Sequence, residues 1–170
     1  MWGGQILPLY ECVYQSLLGK ISLVATDVSL IGAWFEGQRY FQAGIKVQPI
    51  WQEQHALLRR ACLWLDAYFE RKPYPMLDCL SPQGTDFQRA VWRELQTIRW
   101  GETLSYGELA KRLQCRSAQA VGGAIGRNPL SIFIPCHRVL AADGRLIGYA
   151  GGLEKKAWLL RHEQISVNKE

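Results

Sequence analysis

The sequence contains no long apolar run and no segment with the character of a secretory leader. Its apolar residues come in short stretches, well below the roughly 20 consecutive residues that a transmembrane helix needs. The first residues, Met1-Trp2-Gly3-Gly4, lack the basic and apolar regions of a signal peptide. We therefore expect an intracellular globular protein, located in the cytoplasm, with no membrane partner.

Cysteine and histidine are scarce and are not grouped. The chain has five cysteines and three histidines, and no two cysteines are spaced as CxxC. An odd number of cysteines without paired spacing argues against a disulfide framework and for a reducing compartment. No histidine falls near a cysteine in a zinc-finger spacing, apart from the adjacent Cys136-His137. We predict no bound metal.

Charge is unevenly distributed along the 170 residues. Residues 1–85 carry 7 basic and 7 acidic side chains, whereas residues 86–170 carry 13 and 8, so the net charge of +5 comes from the C-terminal half. Clustered positive charge suits a polyanion, because each neutralised phosphate releases counterions. A solvated basic face would explain the charge equally well. The length permits one domain or two small ones.

The N-terminal half shows the pattern of a small sheet followed by a helix. Short apolar runs at residues 12–14, 21–25 and 31–35 are separated by glycine and aspartate, which predicts an antiparallel meander. Apolar residues at helical spacing over residues 57–69 predict a helix that ends before Pro73 and Pro75. The proline-rich stretch 72–84 is the expected linker, and we predict two domains, residues 1–80 and 81–170.

The C-terminal half carries two helix-start signals. Thr85 and Gln88 have the spacing of a capping box, and the helix that follows is expected to place Ile98 on its apolar face and to stop at Gly101. Ser105 and Glu108 repeat the device before a second helix. A short break at residues 114–116 and a helical segment over 117–126 complete a predicted helix-turn-helix.

The last of these helices has little side chain on its surface, because Ala118, Ala120, Gly122, Gly123 and Ala124 fall within it. A glycine inside a helix costs about 1 kcal/mol relative to alanine, so a close approach to another backbone is the expected reason. That partner is either a neighbouring helix or the wall of a DNA groove.

Cys136 and His137 place a thiol beside an imidazole, and Arg138 adds a positive charge. A thiol reacts as its thiolate, and an adjacent imidazole and arginine can lower its pKa. Neighbouring side chains of a regular strand point to opposite faces, so a relay between the two requires a turn or a bridging water. A buried cysteine that only fills space is the alternative.

A series of short motifs runs through the second half of the chain. They are Gly84-Thr85-Asp86-Phe87-Gln88 with Val91-Trp92, Ser105-Tyr106-Gly107-Glu108-Leu109-Ala110, Ala120-Val121-Gly122-Gly123-Ala124, Asn128-Pro129, Ile134-Pro135-Cys136-His137-Arg138-Val139, Gly148-Tyr149-Ala150-Gly151-Gly152 and Trp158-Leu159-Leu160-Arg161-His162-Glu163. Together they resemble the methylated-DNA–protein-cysteine methyltransferases, the O6-alkylguanine-DNA alkyltransferases. The resemblance is dense over about residues 84–163 and loose before them.

The resemblance implies an α+β fold: a ribonuclease-H-like antiparallel sheet with a helix, then a mostly helical, winged-helix-like domain with the helix-turn-helix. It also implies the chemistry. Cys136 would take the alkyl group from O6 of guanine as a permanent thioether, once per molecule and without a cofactor. His137 would accept the thiol proton through water while Glu163 orients the imidazole. Tyr106 would donate to the leaving base, and Asn128 would act as a hinge between the recognition helix and the active-site loop.

The expected partner is double-stranded DNA, bound through its minor groove by a monomer with the alkylated guanine flipped out. Backbone groups of Cys136, Val139 and Ala150 would read the base, and Tyr149 would stack on it. The implied DNA- and substrate-binding residues are Ser105, Arg116, Ala118, Gln119, Ala120, Gly122, Gly123, Arg127, Arg138, Val139, Tyr149 and Ala150.

One position departs from the family pattern. Where the family usually inserts an arginine into the gap left by the flipped base, this chain has Gln119, which brings no charge. Arg116 and Arg127 flank the same helix and could contact phosphates instead. Two rival functions stay open: a binding module of the alkyltransferase-like kind, which lacks the cysteine, and a Cys-His-Glu hydrolase with an incidental helix-turn-helix.

Overall fold

A four-stranded sheet forms the first part of the structure, a computed structural model that describes residues 6–75 and 77–167. Met1-Trp2-Gly3-Gly4, on which the leader argument rests, lies outside the described residues. The strands are β1 (Tyr10–Ser16), β2 (Gly19–Ala25), β3 (Leu30–Phe35) and β4 (Ile50–Trp51), in the order β3-β2-β1-β4. The first three form the predicted antiparallel meander, whereas β4 pairs in parallel with β1 and was not predicted.

Both faces of the sheet are covered. The predicted helix is present as α1 (Ala56–Phe69), and it buries Leu58, Leu65 and Tyr68 in a core shared with the C-terminal half. On the other face Val24, Ile31 and Trp34 form a second cluster, against which Leu9 and Ile45 pack. The segment after β3 therefore lies across the sheet.

Helices dominate the second part: α2 (Asp86–Leu95), α3 (Tyr106–Arg112), α4 (Ala118–Gly126) and α5 (Leu153–His162). Both capping boxes form as predicted, at Thr85 with Gln88 and at Ser105 with Glu108. Each N-cap contributes about 1 kcal/mol because it satisfies backbone N–H groups that the helix leaves unpaired. Helices α3 and α4 give the predicted helix-turn-helix.

The predicted end of the first of these helices is wrong. Helix α2 stops at Leu95, well before Gly101, and Ile98 is buried in the turn that follows. The Ile98 N–H bonds back to the Leu95 carbonyl in a tighter turn, and the Ile98 carbonyl accepts a hydrogen bond from Arg138. A buried guanidinium distant in sequence thus holds the carbonyl of the turn that follows the helix.

The two halves meet along β3. The Ala33 N–H donates to the Pro129 carbonyl at 2.8 Å, and the Ser131 N–H donates to the Ala33 carbonyl at 2.9 Å. A two-stranded parallel pair, β5 (Leu104–Ser105) with β6 (Val139–Leu140), then places the start of α3 beside the segment that contains Cys136. Among the described residues, no helix is both long and apolar enough to cross a membrane.

Candidate active site

The loop between α4 and β6 is held in shape by Asn128. Its side-chain amide donates to the Ile134 carbonyl at 2.9 Å, and its side-chain oxygen accepts from the Leu130 N–H at 3.0 Å. Asn128 is buried, so both bonds form in a low-dielectric environment where unmet polar groups are costly. The amide bridges two backbone groups across the loop, as the hinge interpretation requires.

Cys136 begins a single 3-10 turn, Cys136–Arg138, directly after Pro135. The Cys136 N–H donates to the Ile134 carbonyl at 2.8 Å, which closes the turn against the Asn128-bound segment. A 3-10 turn removes the strand geometry that would send consecutive side chains to opposite faces. The turn is therefore one of the two solutions expected for a thiol next to an imidazole.

His137 and Glu163 form a buried pair, each fully excluded from solvent, with Nε2 and Oε1 2.7 Å apart. Tyr68 donates its hydroxyl to the same Oε1 at 2.8 Å. Arg138 donates Nε to Oε2 at 2.7 Å and Nη2 to Oε1 at 2.9 Å, so the carboxylate accepts a bidentate contact as well. Glu163 is thus not the surface acid that its sequence position suggests.

The protonation states in this network follow from burial and charge. Burial raises the pKa of Glu163, but His137 and Arg138 outweigh burial and lower the pKa to about 2. An ionised carboxylate only accepts, so Nε2 of His137 carries the proton between them. Burial also lowers the pKa of His137 in spite of Glu163, which keeps the imidazole neutral near pH 7. Nδ1 has no hydrogen-bond partner among the described residues, and its lone pair makes it a base.

The Cys136 thiol is neutral at rest. Burial raises its pKa, although Asn128 and the charge of Lys156 act in the opposite direction. The guanidinium of Arg138 is directed to Glu163 and to the Ile98 carbonyl, so it does not serve the sulfur as the sequence suggested. A neutral thiol is a weak nucleophile, so a reaction at this sulfur would require a base.

Lys156 on α5 is a site residue that the sequence analysis missed. Its ammonium is buried and donates to the carbonyls of Val139 at 2.6 Å, Ile147 at 3.1 Å and Gly148 at 3.1 Å. Burial lowers the pKa of Lys156 to about 8, and a charge on Cys136 would raise it. Its spacing in the sequence could have revealed it. Lys156 precedes Leu159, Leu160 and Glu163 by three, four and seven residues, so all four side chains lie on one face of a helix.

Cys136 opens into a cavity of about 380 Å³. This volume falls in the range of small-molecule sites. The residue as a whole is 5 % exposed, and because it lines this cavity it is not sealed in the core. The walls come from two loops, the start of α3 and α4: Arg39, Tyr40, Tyr106, Gly122, Gly123, Ile125, Gly126, Gly148, Tyr149 and Ala150.

Tyr106 and the glycine-rich loop after β6 contact each other and form adjacent parts of the cavity wall. Burial raises the pKa of Tyr106 to about 12, so the phenol keeps its proton, and it donates to the Ile147 carbonyl at 2.9 Å. Gly148 has a φ of +63°, a conformation that favours glycine. A Cβ at Gly151 would lie 2.9 Å from the Tyr149 ring, so only glycine lets that ring lie where it does.

The small-residue surface of α4 faces open space. A Cβ at Gly123 would meet no atom within 4 Å, and one at Gly122 would only touch the Tyr106 ring, at 3.9 Å. Ala124 is buried in the core, but among the described residues no helix lies over Gly123, so of the two explanations for the exposed glycine the DNA groove is favoured. Arg116, just before the helix, is exposed, as are Ala118, Gln119 and Ala120 in its first turn. Arg127, just after the helix, is exposed as well.

Three residues expected to bind DNA or the base have other contacts. Arg138 is buried on Glu163, so it is not available to a phosphate. The carbonyl of Val139 already accepts from Lys156, which leaves one lone pair. Ser105 accepts from the Glu108 N–H as the cap of α3. The remaining predicted site residues lie around the cavity or on the exposed surface of α4.

A cysteine on a cavity wall, next to a buried histidine–glutamate pair and beside a helix-turn-helix, fits one class, the DNA-acting proteins with a cysteine nucleophile. Two family models match the chain: the DNA-binding domain of 6-O-methylguanine DNA methyltransferase over residues 86–165, and the ribonuclease-like domain of the same enzyme over residues 9–77. The chain belongs to the methylated-DNA–protein-cysteine methyltransferase family.

Relatives and solved structures agree. Proteins named methylated-DNA–protein-cysteine methyltransferase from Methanosarcina acetivorans and Mycolicibacterium paratuberculosis are 40% and 46% identical to this chain. The matches cover 91% of this chain and 98% of the first relative, and 90% and 93% for the second. A crystal structure of the Mycobacterium tuberculosis protein in complex with DNA has a TM-score of 0.78 at 35% identity, covering 91% of this chain and 92% of that one. The predicted α+β fold is confirmed.

Proposed function

We propose that Cys136 is the residue that receives the alkyl group. The protein repairs DNA by direct transfer of an alkyl group from O6 of guanine to a cysteine, and it is a methylated-DNA–protein-cysteine methyltransferase. One observation carries the assignment to Cys136: it lines the cavity beside α4, in the same turn as His137, which pairs with Glu163. The helix-turn-helix is therefore part of the function rather than incidental.

In the proposed reaction, Nδ1 of His137 takes the thiol proton through one water, and Glu163 stabilises the imidazolium that results. The ammonium of Lys156 stabilises the thiolate as it forms. The sulfur then bonds to the alkyl carbon as the carbon–O6 bond breaks, and the electron pair passes to the guanine. A thioether is not readily hydrolysed, so each molecule reacts once.

Tyr106 would assist the departure of the base. Its phenol keeps its proton because burial raises its pKa to about 12, so it can donate to the guanine as negative charge develops on the ring. In the free protein this donor is held by the Ile147 carbonyl at 2.9 Å. A bound base would compete with that carbonyl for the phenol proton.

DNA is the partner of this protein. We propose that the protein acts inside the cell as a monomer. In this proposal α4 enters the minor groove and the alkylated nucleotide is flipped out of the duplex. The exposed small residues at the start of α4 and the basic Arg116 and Arg127 at its two sides support this orientation. Cys136 cannot reach a stacked base, which supports flipping.

We also propose that the chain divides into two domains between residues 80 and 81. The limits of the two family matches support this boundary.

Intact mass measurement tests the function. We expect the protein, incubated with a duplex oligonucleotide that contains O6-methylguanine, to gain one methyl group that maps to Cys136. Protein in excess should repair all lesions, and lesions in excess should stop at one event per molecule. Tight binding without a mass change would indicate a lesion-binding module. Repeated product release without an adduct would indicate a hydrolase.

Gln119→Arg is expected to speed repair of duplex DNA. An arginine at the start of α4 would add a charge-assisted contact in the gap left by the flipped base, for about a tenfold gain at roughly 1.4 kcal/mol. The measurement is the second-order rate of adduct formation on duplex and single-stranded substrates. Gln52→Arg adds the same charge after β4 and is the matched control. Equal rates for Gln119→Arg and the natural sequence would show that Gln119 does not limit flipping.

A further inference from the structure

The segment after β3 turns back onto the active site and is firmly held there. Gln38 is buried, and its side-chain oxygen accepts from the Phe35 N–H at 2.8 Å and from the Ser131 hydroxyl at 3.3 Å. Its amide donates to the Arg39 carbonyl at 3.2 Å. The Arg39 N–H donates to the Ala150 carbonyl at 3.1 Å. The backbone of Arg39 is thus fixed on both sides, against the loop that lines the cavity.

The next residue carries an aromatic ring to the cavity wall. Arg39 and Tyr40 line the same cavity as Cys136, although they belong to the N-terminal half. Tyr40 has a φ of +60°, a left-handed conformation that a bulky residue rarely adopts. Such backbone conformations cluster at ligand-binding positions, where the surrounding structure maintains them. Here the fixed Arg39 backbone does so.

Two guanidinium groups converge on this ring. The guanidinium carbon of Arg39 lies 4.8 Å from the ring centroid of Tyr40, and that of Arg127, which follows α4, lies 4.3 Å from it. Each contact is a cation–π interaction, but the two cations repel each other. Both arginines are exposed, and neither forms an ion pair with a carboxylate within the described part of the chain. An anion between them would relieve the repulsion.

We propose that Arg39, Tyr40 and Arg127 form a clamp for the phosphodiester group of the flipped nucleotide. This inference rests on the proposed function, because it requires a guanine in the cavity. A nucleotide whose base fills the cavity leaves its sugar and phosphate outside the base pocket, on the side where Arg39 lines the wall and Arg127 contacts the ring of Tyr40. Arginine is well suited to phosphate, since its planar group donates two parallel hydrogen bonds.

The clamp gives the N-terminal half a direct part in substrate binding. It also places positive charge at the cavity from outside α4, where Gln119 brings none. The alternative is that the stack of Arg39, Tyr40 and Arg127 only holds the two halves of the protein together. A structural role would affect every substrate alike, whereas a phosphate clamp acts only on substrates that carry a phosphate.

The test compares a duplex oligonucleotide containing O6-methylguanine with O6-benzylguanine, a free base that has no phosphate. In Arg39→Gln the ratio of the duplex rate to the free-base rate is expected to fall about tenfold. The variant should make about one phosphate contact fewer, so the slope of log K against log salt for duplex binding should change by roughly 0.9. Arg59→Gln, which removes an exposed charge from α1, is the matched control and should change neither quantity. Arg39→Lys should recover part of the ratio, because lysine restores the positive charge but cannot donate the two parallel hydrogen bonds of a guanidinium.

Three results would separate the possibilities. An equal fall of both rates in Arg39→Gln would overturn the clamp in favour of a structural stack. So would an unchanged ratio with an unchanged salt slope. A natural protein that gains no alkyl group from either substrate would instead reject the proposed function itself.

Discussion

Cys136→Ala protein is expected to bind alkylated duplex DNA and to gain no mass at all. Among the described residues, Cys136 carries the one sulfur that lines the cavity, so the substitution removes the proposed nucleophile. Binding should persist, because the exposed surface of α4 and the arginine at its end are unchanged. The measurements are intact mass after incubation with excess substrate and the dissociation constant for the same oligonucleotide.

Cys79→Ala is the matched control, since Cys79 is a half-buried free cysteine outside the cavity. This variant should acquire the alkyl group as the natural protein does. An adduct on Cys136→Ala, at whatever residue, would show that another atom is the acceptor and would remove Cys136 from the mechanism.

Glu163→Gln is expected to lower both the rate of transfer and the stability. The amide cannot stabilise a protonated His137, so the rate should fall about 100-fold, in the range of lost acid–base assistance. It also leaves the buried Arg138 guanidinium without a counter-charge, which should cost about 3 kcal/mol of unfolding free energy. Single-turnover rates and urea denaturation measure the two effects separately.

The same variant should change the response to acid. Burial raises the pKa of Glu163, yet His137 and Arg138 outweigh it and lower the pKa from its ordinary 4.5 to about 2. A lowered carboxylate pKa stabilises the fold above pH 4.5, and that contribution, about 3 kcal/mol, is lost as the pH falls toward 2. The natural protein should lose this stability on acidification, and Glu163→Gln should lack that part of the loss.

Glu94→Gln provides the control for both measurements. Glu94 pairs with Arg112 at 3.2 Å near the surface, where an ion pair contributes less than about 1 kcal/mol. Its replacement should leave the transfer rate unchanged and the stability nearly so. If Glu163→Gln behaved like Glu94→Gln, the buried pair with His137 would not assist the reaction.

The sequence predicted those features that local chemistry determines. Helix starts at Thr85 and Ser105 were found because each capping box lies within four residues and needs no tertiary partner. The meander and α1 followed from the period of their apolar residues. Cys136 was recognised from a motif, and the cavity that it lines agrees with that interpretation.

What the sequence did not predict depends on contacts between distant residues. The turn after α2 is held by Arg138, which donates to the carbonyl of Ile98, forty positions away. The sequence analysis made no prediction for Lys156, which lies beside another lysine, Lys155. Only folding brings three carbonyls to its ammonium. The parallel strand β4 is two exposed residues long, too short to leave a pattern. Arg39 and Tyr40 carried no signal, because their position depends on the docking of one half on the other.

The neutral, buried state of the Cys136 thiol has a consequence for how long the protein keeps its capacity. Peroxides oxidise the thiolate far faster than the thiol, and they must reach the sulfur to do so. The raised pKa keeps the sulfur protonated, and therefore poorly reactive, while no lesion is bound. A reagent that reacts only once is thereby protected from oxidative loss during the interval before it meets damage.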